Sequence, residues 1–596
     1  MRKLGRVAGW RTLIAALCLT IVFVASGSLV PSEARAGDGC TYDFSGGNGS
    51  EGLPYLISSR ADLEHITSEG DCVMTDDYYL QTTDIDLSAS PWTPPSGSPF
   101  GGHYDGGGHQ LTGLTIVADV GASYVGLFPW SYNVATFRNL TIRGARVSSA
   151  GSDPANWVGV LVGYASQSTI DNVQIVDATV STPTYQEVGL IVGYAYALNL
   201  TRSSASGSVS GATNVGGLVG EVCEGTITSS SSSAVVHAGS GVAGGVVGTV
   251  ASVCDCALSD TVQGTSEIRG IFDSQATGSV DGVDDVGGLV GSAEGIPIER
   301  SYATGAVTGS GTAAGGLVGR ASGLSYVDKA AGSITNSYAR GSVTGNTFVG
   351  GLIGVSGGDE LVQTYATGAV TGVSGTGGLV GSLGINNVVS TSSFWDTSTT
   401  GQSASSIGTG KSTAEMKSLT PFQTAEVPWA IVSGWEAPGT NTWGICTGAN
   451  DGYPYLLRQF GSVSEACPVV APVATVDAPV MVAKAPVPVT LAVLSTAGQG
   501  MSIVTRLRVS GAGSISQVGT FGGSKVVVCR QTKRAMRAGT VVLVCAVNAA
   551  TQALLRTQRV KVVVVTTFTS KSGTVVRRHR TVVLPRIVSK PIAVTG

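Results

Sequence analysis

Three sets of side chains in this 596-residue sequence have the types and spacing that chemistry needs: acidic clusters, tyrosines in repeated register, and cysteines. The acidic clusters are Asp281, Asp284 and Asp285 in DGVDDVGG, Asp84 with Asp86, and His103, Asp105 and His109 in HYDGGGH. Paired carboxylates serve as acid and base in glycoside cleavage, and oxygen-rich clusters hold Ca2+, which makes Asp281, Asp284 and Asp285 the candidate calcium ligands. Aspartate beside glycine is also ordinary turn chemistry. Tyr164 and Tyr194 follow the closing glycine of consecutive repeats, with Tyr196 beside them, while Tyr302, Tyr338 and Tyr365, then Phe394, hold one register of a second repeated phrase. Facing outward, such ladders would bind sugars or peptides by stacking; facing inward they fill a core, the preferred reading for the 302 to 365 set. No HExxH, P-loop or CxxC is present, and the five histidines (65, 103, 109, 237 and 579) are scattered, so neither a zinc site nor a metallopeptidase is expected. No catalytic residue is assigned, and no cofactor is expected beyond the candidate Ca2+.

The cysteines speak to compartment. Arg2, Lys3, Arg6 and Arg11 precede the apolar run LIAALCLTIVFVA, and SEARA ends at Ala36, the pattern of a secretory signal peptide with the mature chain beginning near Gly37. The apolar run is shorter than the roughly 20 residues that span a bilayer, and no later stretch is long enough to do so. Nine cysteines follow Gly37, and an exported chain meets oxidising conditions. The expected neighbours are Cys40 with Cys72, Cys223 with Cys254 or Cys256, Cys446 with Cys467, and Cys529 with Cys545, leaving one of Cys254 and Cys256 over.

The elements that must position these groups are set by a repeat. GGLVG occurs at 216–220, 287–291, 315–319 and 377–381, with GGVVG at 244–248, GGLIG at 350–354 and weaker copies at 125–128, 158–163 and 188–193. Taking Gly126, Gly159, Gly189, Gly216, Gly244, Gly287, Gly315, Gly350 and Gly377 as equivalent, the intervals are 33, 30, 27, 28, 43, 28, 35 and 27 residues. A second phrase recurs inside each unit, as SQATGSVDG at 274, SYATGAVTG at 301, SYARGSVTG at 337 and TYATGAVTG at 364. Short valine, isoleucine and threonine runs broken by glycine read as about three strands per unit, with no helical spacing. Such a unit cannot bury a core alone, whereas stacked units align their valines and leucines into one interior. The predicted fold is therefore all-β: a parallel β-helix, one unit per coil, nine coils making a rod of roughly 43 Å. The long intervals place protruding loops near 251–271 and 321–332.

GGLVG followed by SYATGxVTG resembles the GLUG repeat of bacterial surface adhesins of the filamentous-haemagglutinin kind and of the N-terminal regions of immunoglobulin A peptidases. The flanks resemble it too, from DFSGGNGSEGLPYLISSRADLEHI at 43–66 to SFWDTSTTGQSASSIGTGKSTAEMKSL and NDGYPYLL. The resemblance covers roughly 40–460; it implies a β-solenoid and leaves function open, because such rods serve different tasks. The peptidases need a zinc-binding HExxH, which this sequence lacks.

Composition shifts at the C-terminal end. Residues 467–490 carry five prolines among valines and alanines, an extended linker, and the runs beyond 490 read as a small Ig-like β-sandwich. From 467 on there are 17 Lys or Arg against one acid, net +16, whereas 37–466 has 13 basic and 37 acidic residues, net −24. The resulting division is a signal peptide (1–36), an N-terminal cap with the first coils (37–124), a GLUG-repeat solenoid (125–395), a C-terminal capping region (396–466), the linker (467–490) and the basic sandwich (491–596). The expected role is non-enzymatic display or adhesion by a secreted or surface-displayed bacterial protein. The rod would meet a host or matrix glycan or protein, and the basic module an anionic cell-wall polymer. The alternatives are a polysaccharide lyase or glycoside hydrolase on the same scaffold, and a structural envelope protein. No LPxTG sequence closes the chain, so covalent wall attachment is not expected.

Overall fold

The computed structural model describes residues 44–459, apart from 68–75, 94–98, 119–121, 133, 150–156, 252–268, 324–331, 385–387 and 436–440, then Cys467, and residues 491–584 apart from 500–501, 510–512, 522–526, 536–538, 556–558 and 571–574. Cys40, Cys72, Cys254, Cys256, the signal-like start, residues 468–490 and most of both predicted loops lie outside the described residues. Two compact units divide at residue 471.

The first unit is a parallel β-solenoid. Nine strands follow one another along one face, one per coil: Phe128–Ser131, Val162–Ser166, Val192–Tyr196, Val219–Cys223, Val247–Ala251, Val290–Glu294, Val318–Ser322, Ile353–Gly357 and Val380–Leu383. Equivalent residues of the repeat stand level, as in Val247 with Val290, Val290 with Val318, and Val318 with Ile353. The Leu-Val pair of the repeat points inward, with Leu289, Val290, Leu317, Val318, Leu352 and Ile353 all fully buried. The leading glycine is fixed by close approach: a Cβ on Gly315 would lie 1.9 Å from the Val318 carbonyl oxygen of its own coil and 2.6 Å from the Gly354 nitrogen of the next. Coil therefore stacks on coil with no room for a side chain there.

The coils beginning at Val215, Ala243 and Val286 each hold five short strands where about three are predicted, while the coil beginning at Trp157 holds the three. The coil beginning at Val286 contains Val286–Gly287, Val290–Glu294, Pro297–Glu299, Tyr302–Ala303 and the start of Val307–Gly315. Residues in the left-handed region split what reads as one run. Arg202, Ser229, Asp273, Arg300, Asn336, Gln363 and Ser392 recur at one corner with φ between 47° and 55°. No glycine marks that corner, so the sequence does not announce it. What holds it is the next residue, a buried serine on six of these coils and the buried Thr364 after Gln363. The Ser274 N–H donates to Ser301 Oγ at 3.1 Å, the Ser301 N–H to Ser337 Oγ at 3.1 Å, and the Ser301 hydroxyl donates to the Glu299 carbonyl at 3.0 Å. Ser301→Ala would leave the buried Ser274 N–H without its acceptor, and should lower stability by about 1–3 kcal/mol in denaturant titration.

The segment after the last coil does more than close the end. Strand Thr409–Lys411 adds a rung beside Phe394–Asp396. The chain then folds back along the rod's flank through helices Thr413–Met416 and Thr420–Gln423 and strands Ile431–Ser433, Trp443–Ile445 and Tyr455–Leu456. Met416, Phe422, Trp429, Trp443 and Tyr453 share a core with Tyr302, Tyr338, Tyr365 and Phe394 of four successive coils. The Cys446–Cys467 disulfide ties the strand Trp443–Ile445 side of this segment to its exit.

The second unit has two antiparallel sheets, one of Leu491–Gln499, Ser502–Val509 and Gly539–Ala546, the other of Val527–Ala535, Gly513–Phe521, Val560–Ser570 and Val575–Leu584. Ile503 and Cys545 of the first share a buried core with Val528, Val562 and Val564 of the second, and the Cys529–Cys545 disulfide joins the sheets. Arg530, Lys533, Lys561, Arg577, Arg578 and Arg580 are exposed on the four-stranded sheet.

Candidate functional site

The two tyrosine ladders have different surroundings. Tyr302, Tyr338 and Tyr365 stand in register, their rings 4.9 Å apart and within 4° of parallel. The returning C-terminal segment covers them: the Tyr338 hydroxyl donates to Gln459 Oε1 at 2.8 Å, the Tyr365 hydroxyl donates to the Pro454 carbonyl at 2.5 Å, and the Trp443 indole lies 6.0 Å from both rings. Tyr338 and Tyr365 are fully buried and Tyr302 is 8 % exposed, so these three fill a core and present no face to a ligand. Burial pushes the Tyr302 phenol up to about 12.

Tyr164 and Tyr194 point outward. They alternate with the buried Ala165 and Ala195 on strands Val162–Ser166 and Val192–Tyr196, the period-two pattern of a sheet with one face inside. Tyr164 stands level with Trp130 on one side and Tyr194 on the other. The neighbouring ladder adds Tyr124 and Trp157, also level with each other. The five part-buried rings form one strip, with Trp157 5.1 Å from Tyr124, 5.0 Å from Tyr164 and 5.1 Å from Tyr194, and Tyr164 5.6 Å from Tyr194. Tyr196 is two residues further along the same strand face, level with Ser166 and Cys223.

Both columns change chemistry on the next coils. Glu187 follows Trp157 in one, and Glu221 follows Tyr194 in the other. Asn214 links them: it hydrogen-bonds Glu187, its Nδ2 donates to Glu221 Oε2 at 2.7 Å, and its Oδ1 accepts from the Thr249 hydroxyl at 3.0 Å. Loss of water around the pair is the main cause that pushes the Glu187 carboxyl up to about 8 and Glu221 to about 7; the mutual repulsion with Glu221 adds to the first, and repulsion from Glu294 to the second. Glu187 therefore keeps its proton at neutral pH. Two carboxyls in contact with an aromatic strip can donate and accept hydrogen bonds, or ionise when a cation arrives. The sequence reading found Tyr164, Tyr194 and Tyr196 but not Tyr124, Trp130, Trp157, Glu187, Asn214 or Glu221. The signal was available in the residue just before each Val-Gly and in the residue just after each closing glycine.

The candidate calcium ligands do not converge. Asp281 pairs with His237 Nδ1 at 2.7 Å, Asp284 accepts from the Thr312 N–H at 2.7 Å, and both oxygens of Asp285 lie 2.9 Å from Arg320 Nε. Asp281 serves the preceding coil while Asp284 and Asp285 each engage a separate partner on the following one, and no three His, Cys, Asp or Glu side chains among the described residues are grouped to hold a metal. The remaining acidic residues are likewise used locally: Asp84 accepts from the Gln110 N–H at 3.1 Å, Asp86 from the Ser88 N–H at 2.9 Å, and Asp105 from Arg138 Nε at 2.8 Å. His103 Nδ1 meets the Thr136 hydroxyl at 3.0 Å. One stretch, GVSGG at 354–358, spells the GxSxG of a serine-hydrolase turn, but Ser356 is fully buried within strand Ile353–Gly357 and donates to Asp359 at 3.2 Å. A nucleophile elbow would expose that hydroxyl at a strand-to-helix turn.

Among the cysteines, 446 with 467 and 529 with 545 pair as the spacing predicts. Cys223 is disulfide-bonded, and the residues predicted as its partner lie outside the described set.

A stack of in-register parallel coils around one apolar spine defines a parallel β-solenoid. The GLUG motif is matched at residues 310–344, on the coils that display the repeat most fully; the protein is a GLUG-repeat β-solenoid. A "Putative Gly-rich membrane protein" of Evansella cellulosilytica is 33% identical over 141 residues, 22% of this chain and 15% of the relative. "Halomucin" of Haloquadratum walsbyi is 32% identical over 203 residues, 32% of this chain and 2% of the relative. The chain thus spans a small part of the length of the curated relatives it matches.

Proposed function

We propose that this is a non-enzymatic, adhesin-like protein, secreted or displayed at the cell surface, whose rod carries the aromatic strip to a host or matrix ligand. The observation that carries the reading is the strip itself. Five part-exposed rings in contact, ending in Asn214 and two carboxyls, make a larger outward aromatic surface than a solenoid needs for its own packing. The likenesses to a protein named for a membrane and to halomucin support a place at the cell envelope. No helix among the described residues is long and apolar enough to cross a membrane. A glycan and matrix-protein array probed with the full chain tests the reading. Replacing Trp157 and Tyr194 together by serine should abolish capture while the thermal midpoint moves by only a few degrees, and retained capture would refute the strip as the ligand face.

The second unit would hold an anionic cell-wall polymer through its arginine-rich sheet. The full chain should elute from an anionic matrix steeply as salt rises, and replacing Arg577, Arg578 and Arg580 by serine should flatten that dependence. An unchanged elution profile would mean that these charges only solvate the sheet. The enzyme reading draws support from the raised carboxyl pair alone, and release of reducing ends or unsaturated sugars from polysaccharides would promote it.

A further inference from the structure

We propose that the strip takes a glycan of amino sugars with free amino groups, its pyranose faces against Trp157 and Tyr194 and its ammonium groups paired with Glu187 and Glu221. The inference rests on the reading of the strip as the ligand face and names the class of ligand.

Charge is the first ground. Three part-buried acids elsewhere on the rod have a cation of their own, Asp171 with Arg202, Asp273 with Arg300 and Asp285 with Arg320, whereas the buried Asp359 and Asp396 are held by hydroxyl and amide donors inside the fold. Glu187 and Glu221 form no ion pair among the described residues; their partners are the neutral Trp157 and Asn214. A part-buried carboxylate without a counter-charge is costly, and a ligand ammonium supplies that charge while gaining charge-assisted hydrogen bonds. An acidic polysaccharide would meet repulsion here, on a segment (37–466) whose net charge is −24.

Ring chemistry is the second ground. Trp157 and Tyr194, 5.1 Å apart at an interplanar angle of 26°, stand in the same columns as the two carboxyls. Aromatic faces attract cations and offer apolar surface to the C–H face of a sugar. Asn214 and Thr249, joined at 3.0 Å, add amide and hydroxyl groups suited to sugar hydroxyls. A bare quaternary ammonium would use the rings and carboxyls and leave those two idle. The rings of the strip sit on successive rungs about 4.8 Å apart, an extended arrangement that suits a chain of sugars better than a single head group.

Titration calorimetry of the full chain at pH 6 with a glucosamine hexamer and an N-acetylglucosamine hexamer tests the proposal. The free-amine hexamer should bind at least about tenfold tighter. Its binding should also release protons, read as a heat that changes with the ionisation enthalpy of the buffer. Glu187→Gln with Glu221→Gln should bring the two hexamers within about twofold of each other, with circular dichroism unchanged, and Trp157→Ser should weaken both. Equal or tighter binding of the acetylated hexamer, tighter binding of phosphocholine or oligolysine, or a preference that survives the glutamine pair overturns the amino-sugar assignment and leaves the strip as ligand face. Binding of neither hexamer overturns it as well. If the array then shows no ligand sensitive to Trp157→Ser, the strip reading falls with it.

Discussion

Trp443→Ala should destabilise the solenoid by about 3–5 kcal/mol, the range for removing a large buried aromatic side chain. Trp443 is fully buried, lies 4.7 Å from the Trp429 ring and 6.0 Å from Tyr338 and Tyr365, and its indole N–H donates to Asn336 Oδ1 at 3.0 Å. The substitution therefore opens a cavity between the returning segment and two coils and removes the acceptor's partner at a left-handed corner. Urea unfolding followed by tryptophan fluorescence and by circular dichroism measures it. A loss below about 1 kcal/mol would show that the segment 413–459 contributes little to holding the rod. Tyr365→Phe provides the milder companion: it keeps the ring stack and gives up only the hydroxyl bonds to Pro454 and Asn450, about 1–2 kcal/mol.

The second large effect depends on pH. Glu187 and Glu221 have an ordinary value of 4.5 when unfolded and hold their protons to about 8 and about 7 when folded. Between those limits the folded chain binds protons that the unfolded chain has released, so stability falls as pH rises. The contribution is present in full below about pH 4.5 and is lost as pH passes through the folded values. Allowing for partial solvent screening, about 3 kcal/mol should disappear between pH 5 and pH 8. Asp359, buried and raised to about 6, has the same sign, so the comparison must be made against Glu187→Gln with Glu221→Gln. That variant should be more stable than the parent at pH 8, with a flatter profile. Parallel profiles for the two proteins would show that the pair ionises freely.

The coil spacing was legible because glycine, leucine and valine recur where coils must touch. Gly315 cannot carry a Cβ and Leu317 has no exposed surface, and such demands leave their mark on every repeat. The corner at Arg300 was not legible: seven different coils place arginine, serine, aspartate, asparagine or glutamine in the left-handed region there, held by the buried serine and threonine ladder instead of by glycine. The register of Tyr302, Tyr338 and Tyr365 was read correctly, but their cover comes from residues up to about 120 positions away, such as Gln459, and local pattern carries no trace of that contact. The strip was half-found for a related reason. Trp130, Tyr164, Tyr194 and Glu221 share one column, and a search for repeated identity stops where tyrosine gives way to another side chain. The convergence of Asp281, Asp284 and Asp285 was suggested by adjacency, whereas Asp281 stands on a strand, Asp284 and Asp285 lie in the bend after it with Asp285 in the left-handed region, and each carboxylate is drawn to its own partner.

That column runs on through Thr249, Ser292, Arg320, Val355 and Ser382, while the valines and alanines beside it stay inward. Lettering on the outside of the rod is thus independent of the scaffold beneath it. A lineage of such chains can rewrite one rung's specificity, or duplicate a favoured rung whole, without renegotiating how the molecule folds.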